Sequence, residues 1–189
     1  MGLSREQAFE VIKREREYQD RVWPRDGHPL VKQYDYTAPH LLMLEEYYAK
    51  ARALWQKSVD EVDVLRTIGK MATIAFRALT EVVQEVQEAQ GPCLLLDGRY
   101  QEKKARDLIN AARDRQDREH PRTKDNAGQY RFTAPHVYLL GQYLALVGQR
   151  WYSGNREKVV GSLVEVAAIC VRALEEVEGP DLLFVGLRD

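Results

Sequence analysis

The sequence predicts an all-α protein: a tandem duplication of a three-helix unit, packed as a pseudo-twofold helical bundle. Apolar residues recur at steps of three and four over long stretches, which is the period of an amphipathic helix. Two pairs of segments also match along the chain, residues 34–55 with 130–151 and residues 71–82 with 166–177. The strings Thr-Ala-Pro-His and Arg-Ala-Leu-x-Glu-Val occur in both copies in the same order, which predicts an internal repeat.

The first helix of each unit is predicted at about residues 5–22 and 101–119. These two segments match at Arg16 and Arg113 and at several neighbouring polar positions. A polar loop with proline or glycine follows each of them. We therefore expect a first repeat at residues 1–90, a connector at 91–100 and a second repeat at 101–189, with Gly91-Pro92 ending the preceding helix.

The second helix of each unit is predicted to begin at the Thr-Ala-Pro-His string. Thr37 or Thr133 can cap the free amides there, and the proline that follows fits the first helical turn. The apolar positions of the first copy have helical spacing: Leu41, Leu44, Tyr48, Ala51 and Trp55. We predict that Trp55 and its counterpart Trp151 anchor these helices by packing.

The third helices carry the longest apolar patterns. In the first unit the pattern runs through Leu65, Ile68, Ala72, Ala75, Leu79, Val82 and Val86. In the second it runs through Val160, Leu163, Ala167, Cys170, Leu174 and Val177. A second apolar flank indicates burial on more than one side: Val64, Met71, Ile74 and Ala78. Because alanines let helix backbones approach closely, we expect the two third helices to pack on each other about the pseudo-twofold axis.

Composition excludes several classes of function. The chain is 44% hydrophobic and 30% charged, which suits a globular protein with a buried core. Its formal net charge of -1 gives no basic field for binding nucleic acid. No apolar run approaches the roughly 18 residues that span a membrane. Cys93 and Cys170 lie in apolar contexts and predict buried thiols, so we expect a cytoplasmic protein.

Several polar residues recur in both units, and packing of apolar surface does not explain them: Arg16, Gln19, Asp20, Arg21, Tyr34, His40, Tyr47, Arg77 and Glu81. One interpretation is that Asp20 and Arg77 take part in ion pairs across helices. The other is a pair of equivalent pockets for a phosphate-bearing ligand. The candidate ligand-binding residues of these pockets are Arg16, Asp20, His40, Arg113, Asp117 and His136.

Residues 15–23, Glu-Arg-Glu-Tyr-Gln-Asp-Arg-Val-Trp, resemble an opening associated with helical proteins of phages and bacteria. A helix with Glu45-Glu46 and Trp55 follows, and then an alanine-rich helix ending in Ala-Leu-x-Glu. Together these pieces resemble the all-α MazG-like nucleoside triphosphate pyrophosphohydrolases. The resemblance implies a bundle of paired helical subunits. It also implies Mg²⁺-dependent cleavage between the α and β phosphates, with the metal held by acidic residues on two neighbouring helices.

The acidic pattern of that family is incomplete in this chain. Its first helix pattern is Glu-Glu-x-x-Glu, but Ala49 stands at the third acidic position. In the second unit Gly141 and Gln142 replace the two glutamates. The candidate metal ligands of the first unit are Glu45, Glu46, Asp60 and Asp63. Surface charge on an exposed helix face explains the same four residues.

Our leading hypothesis is a non-catalytic helical binding or regulatory protein on a degenerate MazG-like scaffold, without a cofactor, and it includes a phage origin for the protein. In that case it would act in the host cytoplasm. Its partner would be another protein or a phosphate-bearing small molecule. The alternative is a Mg²⁺-dependent nucleoside triphosphate pyrophosphohydrolase with one surviving site in the first half, and a structural assembly protein is a third hypothesis. Homo-oligomer formation is left open.

Overall fold

The computed structural model of the protein describes residues 2–22, 37–57, 61–82, 101–123 and 126–178. Within these ranges the regular secondary structure is helical and contains no strand, which confirms the predicted all-α class. The α-helices are α1 (Arg5–Val22), α2 (Thr37–Gln56), α3 (Glu61–Glu81), α4 (Glu102–Glu119), α5 (Ala134–Tyr152) and α6 (Arg156–Glu176). A short 3-10 helix (Ala127–Arg131) precedes α5.

The centre of the fold is the contact between α3 and α6. Helix α2 packs on α3, and α5 packs on α6. Helices α1 and α4 lie on the same central pair, α1 mainly against α3 and α4 mainly against α6. All six helices contribute to one hydrophobic core, so the segments before and after residue 91 share their buried surface.

The apolar pattern of the third helices is buried as predicted. On α3, Leu65, Ile68, Ala72, Ala75 and Leu79 are all buried, as is the second flank. On α6 the same holds for most of the pattern, while Val160 is only partly buried. Ala72 and Ala167 are fully buried. Val86 lies outside the described residues.

Two details of the second helices differ from the prediction. The side chain of Thr133 makes no capping hydrogen bond; instead its backbone N–H donates to Glu61 Oε2 of α3 at 2.8 Å. A carboxylate from a neighbouring helix therefore satisfies this end of α5. Trp55 is 45% exposed, so the prediction of a packing anchor is wrong for it. Helix α2 continues past its last buried residue, Ala51, whereas Trp151 does pack against the core.

Cys170 is buried as a free thiol, as predicted, and burial raises its pKa. The predicted first loop, the connector at 91–100 and Cys93 lie outside the described residues. No helix in the described ranges has the length and apolar character needed to cross a membrane.

Helices α1 and α4 run antiparallel across the central pair. Near the start of α1, Arg5 Nη1 lies 2.5 Å from Asp114 Oδ1 near the end of α4. Near the end of α1, Arg16 Nη1 lies 2.5 Å from Glu102 Oε1 at the start of α4. The second of these ion pairs joins α1 to the N-terminal turn of α4, where a cleft lies.

Candidate ligand-binding cleft

The cleft has a volume of about 740 Å³ and lies between α1 and the first turns of α4, above α3. Its apolar floor consists of Phe9, Ile12 and Phe76, all of them mostly covered. The Arg16–Glu102 ion pair joins the two walls. The cleft thus combines an apolar base with a polar rim, which is the usual composition of a small-molecule site.

The two walls differ in charge. The α1 wall carries more acidic than basic residues: Glu6, Glu10, Glu17 and Asp20 against Lys13 and Arg16. The α4 wall carries Lys103 and Arg106 beside Glu102. An anionic group therefore has its best electrostatic environment near α4, and hydrogen-bond donors have theirs near α1.

Three basic side chains of the cleft are exposed to solvent. Lys13 Nζ lies 4.0 Å from Glu17, and Lys103 Nζ lies 2.7 Å from Asp107, with both pairs well exposed to solvent. The guanidinium of Arg106 stacks over the ring of Phe9, 4.5 Å from its centroid. Exposed ion pairs of this kind contribute little, so these cations can turn toward a ligand at low cost.

Arg16 is held more firmly. Its guanidinium lies 3.3 Å from the buried carboxylate of Glu81 and also bonds Glu102. Two acidic partners on different helices fix the side chain at the edge of the cleft. Arg16 therefore positions α1 against α3 and α4, and only its exposed edge is available to a ligand.

Asp20 also lines the cleft. It forms an ion pair with an arginine of another helix, which is the arrangement that the ion-pair interpretation of the shared polar residues predicts. Arg77 Nη1 lies 2.9 Å from Asp20 Oδ1, and Arg77 Nε lies 2.9 Å from Glu81 Oε2. Arg77 also donates to Gln19 Oε1 at 3.4 Å. Asp20, Gln19, Arg77 and Glu81 thus belong to one polar network between α1 and α3.

A second network connects α4 and α6. Arg113 bonds Asp117, and its Nε donates to Glu175 Oε2 at 2.5 Å. Arg172 Nη2 lies 3.4 Å from Asp117, and Arg172 Nε lies 2.8 Å from Glu176. These contacts repeat the contacts of Arg77 with Asp20 and Glu81 in the other half of the chain.

Arg5 distinguishes the second network from the first. It reaches from α1 to Glu175 at 2.9 Å and to Asp117 at 3.6 Å, in addition to Asp114. In the sequence match of the first helices, the residue aligned with Arg5 is Glu102. The first network is thus bordered by an exposed glutamate and the cleft, whereas an arginine lies across the second.

His136 joins the second network from α5. Its Nε2–H donates to the carbonyl oxygen of Tyr130 at 3.2 Å, and the same nitrogen lies 3.6 Å from Glu176. Burial lowers the pKa of His136 to about 4, because it outweighs the attraction of Glu176 for the charged form. Burial would raise the pKa of Glu176, but hydrogen bonds from Arg122 and Arg172 lower it.

The candidate ligand residues therefore fall into separate places. Arg16 and Asp20 lie together at the cleft, while Arg113, Asp117 and His136 lie together around Glu176. His40 is fully buried on α2 and is not part of the cleft lining.

Three of the four candidate metal ligands lie within the described residues, and they are dispersed over two helices. Glu45 and Glu46 are exposed on α2, about 16 Å before its end at 1.5 Å per residue. Asp63 lies in the first turn of α3, where its carboxylate is 2.5 Å from Arg66. Asp60 lies outside the described residues. Among the described residues, no three metal-ligating side chains form a group that could hold a metal ion.

Matching the two halves of the sequence could not identify the basic residues of the cleft. Lys13, Lys103 and Arg106 align with Asn110, Glu6 and Phe9, so none of them is a shared residue. The cleft combines most of the length of α1 with the start of α4. Glu6 and Phe9 of one wall correspond to Lys103 and Arg106 of the other, but the residue types differ. The one usable signal was the run of basic residues that opens α4, Lys103 to Arg106.

The inference about function therefore rests on the geometry and the charges of the cleft. Comparison of the chain with protein-family models, with curated proteins and with solved structures gave no match.

Proposed function

We propose that the protein is a non-catalytic binding protein whose cleft between α1 and α4 receives a small molecule with a phosphate group. The observation that carries the proposal is the set of three solvent-exposed cations, Lys13, Lys103 and Arg106, around an apolar floor. A volume of about 740 Å³ lies within the range of small-molecule sites.

The charges of the walls favour a nucleotide among phosphate-bearing molecules. Arg106 can offer its planar guanidinium to two phosphate oxygens, and Lys103 adds a second positive charge on the same wall. On the α1 wall, Glu10 and Glu17 can accept hydrogen bonds from ribose hydroxyls or base amino groups. A bare polyphosphate would leave these carboxylates facing like charge.

We also infer that the scaffold is a duplicated, degenerate MazG-like unit with pseudo-twofold packing. The contact of α3 with α6 supports this inference, as do the matching ion pairs of Arg77 and Arg172. The hydrolase alternative needs several carboxylates around one cation. Glu45, Glu46 and Asp63 lie too far apart to favour it, so binding without conversion is the function that we propose.

A thermal-shift experiment tests the binding site. Nucleoside triphosphates should raise the melting temperature of the wild-type protein but not that of Arg106→Glu, because the substitution reverses the charge that faces the phosphates. Arg118→Glu is the matched control, since Arg118 is exposed on the same helix and lies outside the cleft. An equal shift in Arg106→Glu, or no shift of the wild-type protein with any nucleotide, would contradict the proposal.

A further inference from the structure

Arg16 has two carboxylate partners that differ greatly in exposure to solvent. Its Nη2 lies 3.3 Å from Oε1 of Glu81, and its Nη1 lies 2.5 Å from Oε1 of Glu102. The side chain of Glu81 is 4% exposed, whereas that of Glu102 is 68% exposed. A solvated ion pair contributes little to stability, but a buried carboxylate needs its cation. The contact of Arg16 with Glu102 can therefore break at low cost while Glu81 keeps the guanidinium in place.

The matching arginine of the second half is closed to solvent. Arg113, which aligns with Arg16, bonds Asp117 and Glu175 and lies 3.7 Å from Glu176. The side chain of Arg113 is 6% exposed, against 24% for Arg16. The sequence thus has an arginine at both positions, but of the two it is Arg16 that presents an edge of its guanidinium to a cleft.

The cations of the cleft surround the position of the Glu102 carboxylate. Arg106 follows Glu102 by four residues, so the two side chains are neighbours on one face of α4. On the other wall, Phe9 contacts Arg106. Lys13 comes between Phe9 and Arg16 on the same face of α1, and it therefore lies opposite the first turn of α4. An anion in place of the Glu102 carboxylate would have three cations around it.

We propose that the Glu102 carboxylate occupies the place of the ligand's terminal phosphate, and that binding exchanges one for the other on Nη1 of Arg16. This inference rests on the proposed nucleotide site. The phosphate bridges Arg16 on one wall and Arg106 on the other, so α1 stays joined to α4 after the exchange. The released Glu102 carboxylate remains solvated in the first turn of α4, where the helix dipole favours a negative charge.

The exchange determines which anions the cleft prefers. A carboxylate or a phosphodiester carries one negative charge, so either one would only restore the charge that Glu102 already places beside Arg16. A terminal phosphate carries a charge of about -1.5 to -2 at pH 7 and has three acceptor oxygens. Those oxygens can accept charge-assisted hydrogen bonds from both walls at once. The cleft should therefore prefer nucleotides with a free terminal phosphate to cyclic nucleotides.

Calorimetric titration with a nucleoside triphosphate tests the exchange. Glu102→Gln removes the competing carboxylate and should lower the dissociation constant about three- to fivefold, which corresponds to the loss of an exposed ion pair. Glu6→Gln is the matched control, because Glu6 is an exposed acid of the same cleft. It lies ten residues, or about 15 Å, from Arg16 on the same helix. It removes the same charge without freeing Arg16, so its gain should stay below about twofold.

The outcomes separate the exchange from the binding site itself. Equal gains in the two variants, or an unchanged dissociation constant in Glu102→Gln, would overturn the exchange and leave the proposed site intact. No binding by either the wild-type protein or Glu102→Gln would contradict the proposed function as well. Without ligand, Glu102→Gln should not raise the melting temperature, because it loses an ion pair between helices. A higher melting temperature would overturn the exchange as the cause of tighter binding.

A pair of nucleotides with the same base tests the preference for a terminal phosphate. We expect a nucleoside 5′-monophosphate to bind the wild-type protein about tenfold more tightly than the 3′,5′-cyclic monophosphate, the size of one charge-assisted hydrogen bond. The ratio should shrink in Arg16→Lys, because an ammonium group does not have the fixed fork that bonds Glu81 and the phosphate together. Equal affinities in the wild-type protein, or an unchanged ratio in Arg16→Lys, would overturn the assignment.

Discussion

Arg77 of α3 and Asp20 of α1 form an ion pair, with 2.9 Å between Nη1 and Oδ1. The side chain of Arg77 is only 9% exposed, whereas that of Asp20 is 48% exposed and borders the cleft. The same guanidinium also holds the buried carboxylate of Glu81. Loss of the arginine would therefore leave a buried negative charge with fewer partners, while loss of the aspartate charge would affect a solvated end of the network.

Arg77→Gln should lower the free energy of unfolding by about 3 kcal/mol, because Glu81 then loses its nearest compensating charge. Asp20→Asn should lower it by less than about 1 kcal/mol, since water screens that end of the pair. Urea denaturation measures both values. Lys103→Gln is the control, because the Lys103–Asp107 pair is exposed within one helix, and it should change stability little. Equal effects of all three substitutions would contradict the assignment.

The stability of the protein should fall as the pH drops below about 6.5. His136 is neutral in the folded protein down to its pKa of about 4, whereas in the unfolded chain it takes up a proton near 6.5. The unfolded state thus binds more protons in this window, and the free energy of unfolding decreases by up to about 1.4 kcal/mol per pH unit.

His136→Gln should make this pH dependence shallower between pH 6.5 and about 5, whatever its effect on stability at neutral pH. The lowered pKa of Glu176 acts only at lower pH, because its stabilising effect is lost below the unfolded value of 4.5. Denaturation curves at several pH values measure the slope. A variant with the same slope as the wild-type protein would show that His136 does not resist protonation.

Enlarging the fully buried alanines of the central helices should destabilise the fold. We expect Ala72→Leu and Ala167→Leu each to lower the free energy of unfolding by about 1–3 kcal/mol, because added methylenes overpack a filled core. Ala53→Leu on the exposed face of α2 is the control and should be nearly neutral. Thermal denaturation distinguishes the cases, and unchanged melting of both core variants would contradict the packing of α3 on α6.

The two glycines of α5 should respond to alanine in opposite directions. A Cβ at Gly141 would overlap the hydroxyl of Tyr48 on α2 and lie 2.8 Å from its Cζ, so Gly141→Ala should destabilise by about 1–3 kcal/mol. At Gly148 a Cβ would meet nothing within 4 Å, and Gly148→Ala should stabilise by about 0.5–1 kcal/mol. Melting temperatures that shift in the same direction would show that Tyr48 does not restrict this site.

The same contact shows why part of the structure was not predictable from the sequence. Glu45 corresponds to Gly141 in the second half of the sequence. The sequence shows that no carboxylate stands at position 141, but it does not show that the side chain of Tyr48 occupies the space beside Gly141. The pattern from Leu65 to Leu79 predicted burial correctly because it depends on helical period alone. Contacts between distant segments, such as Glu61 with the N–H of Thr133, have no local signal.

The candidate site illustrates a second limit. Matching the two halves of the sequence selected Arg16 and Asp20, which do border the cleft, because both halves use these residues in ion-pair networks. The same comparison passed over Lys103 and Arg106, because neither has a basic residue at the matching position. The residues of the ion-pair networks match between the two halves of the chain. The cleft instead brings together aligned positions that carry different residues, Glu6 with Lys103 and Phe9 with Arg106.

The most direct test of the proposed function is a calorimetric titration of nucleoside triphosphates, with and without Mg²⁺, followed by analysis of the recovered nucleotide. We predict saturable binding to the wild-type protein, loss of that binding in Arg106→Glu, and recovery of intact nucleotide under both conditions. Mg²⁺-dependent release of pyrophosphate that disappears in Glu45→Gln or Glu46→Gln would contradict it, as would the lack of saturable binding to the wild-type protein.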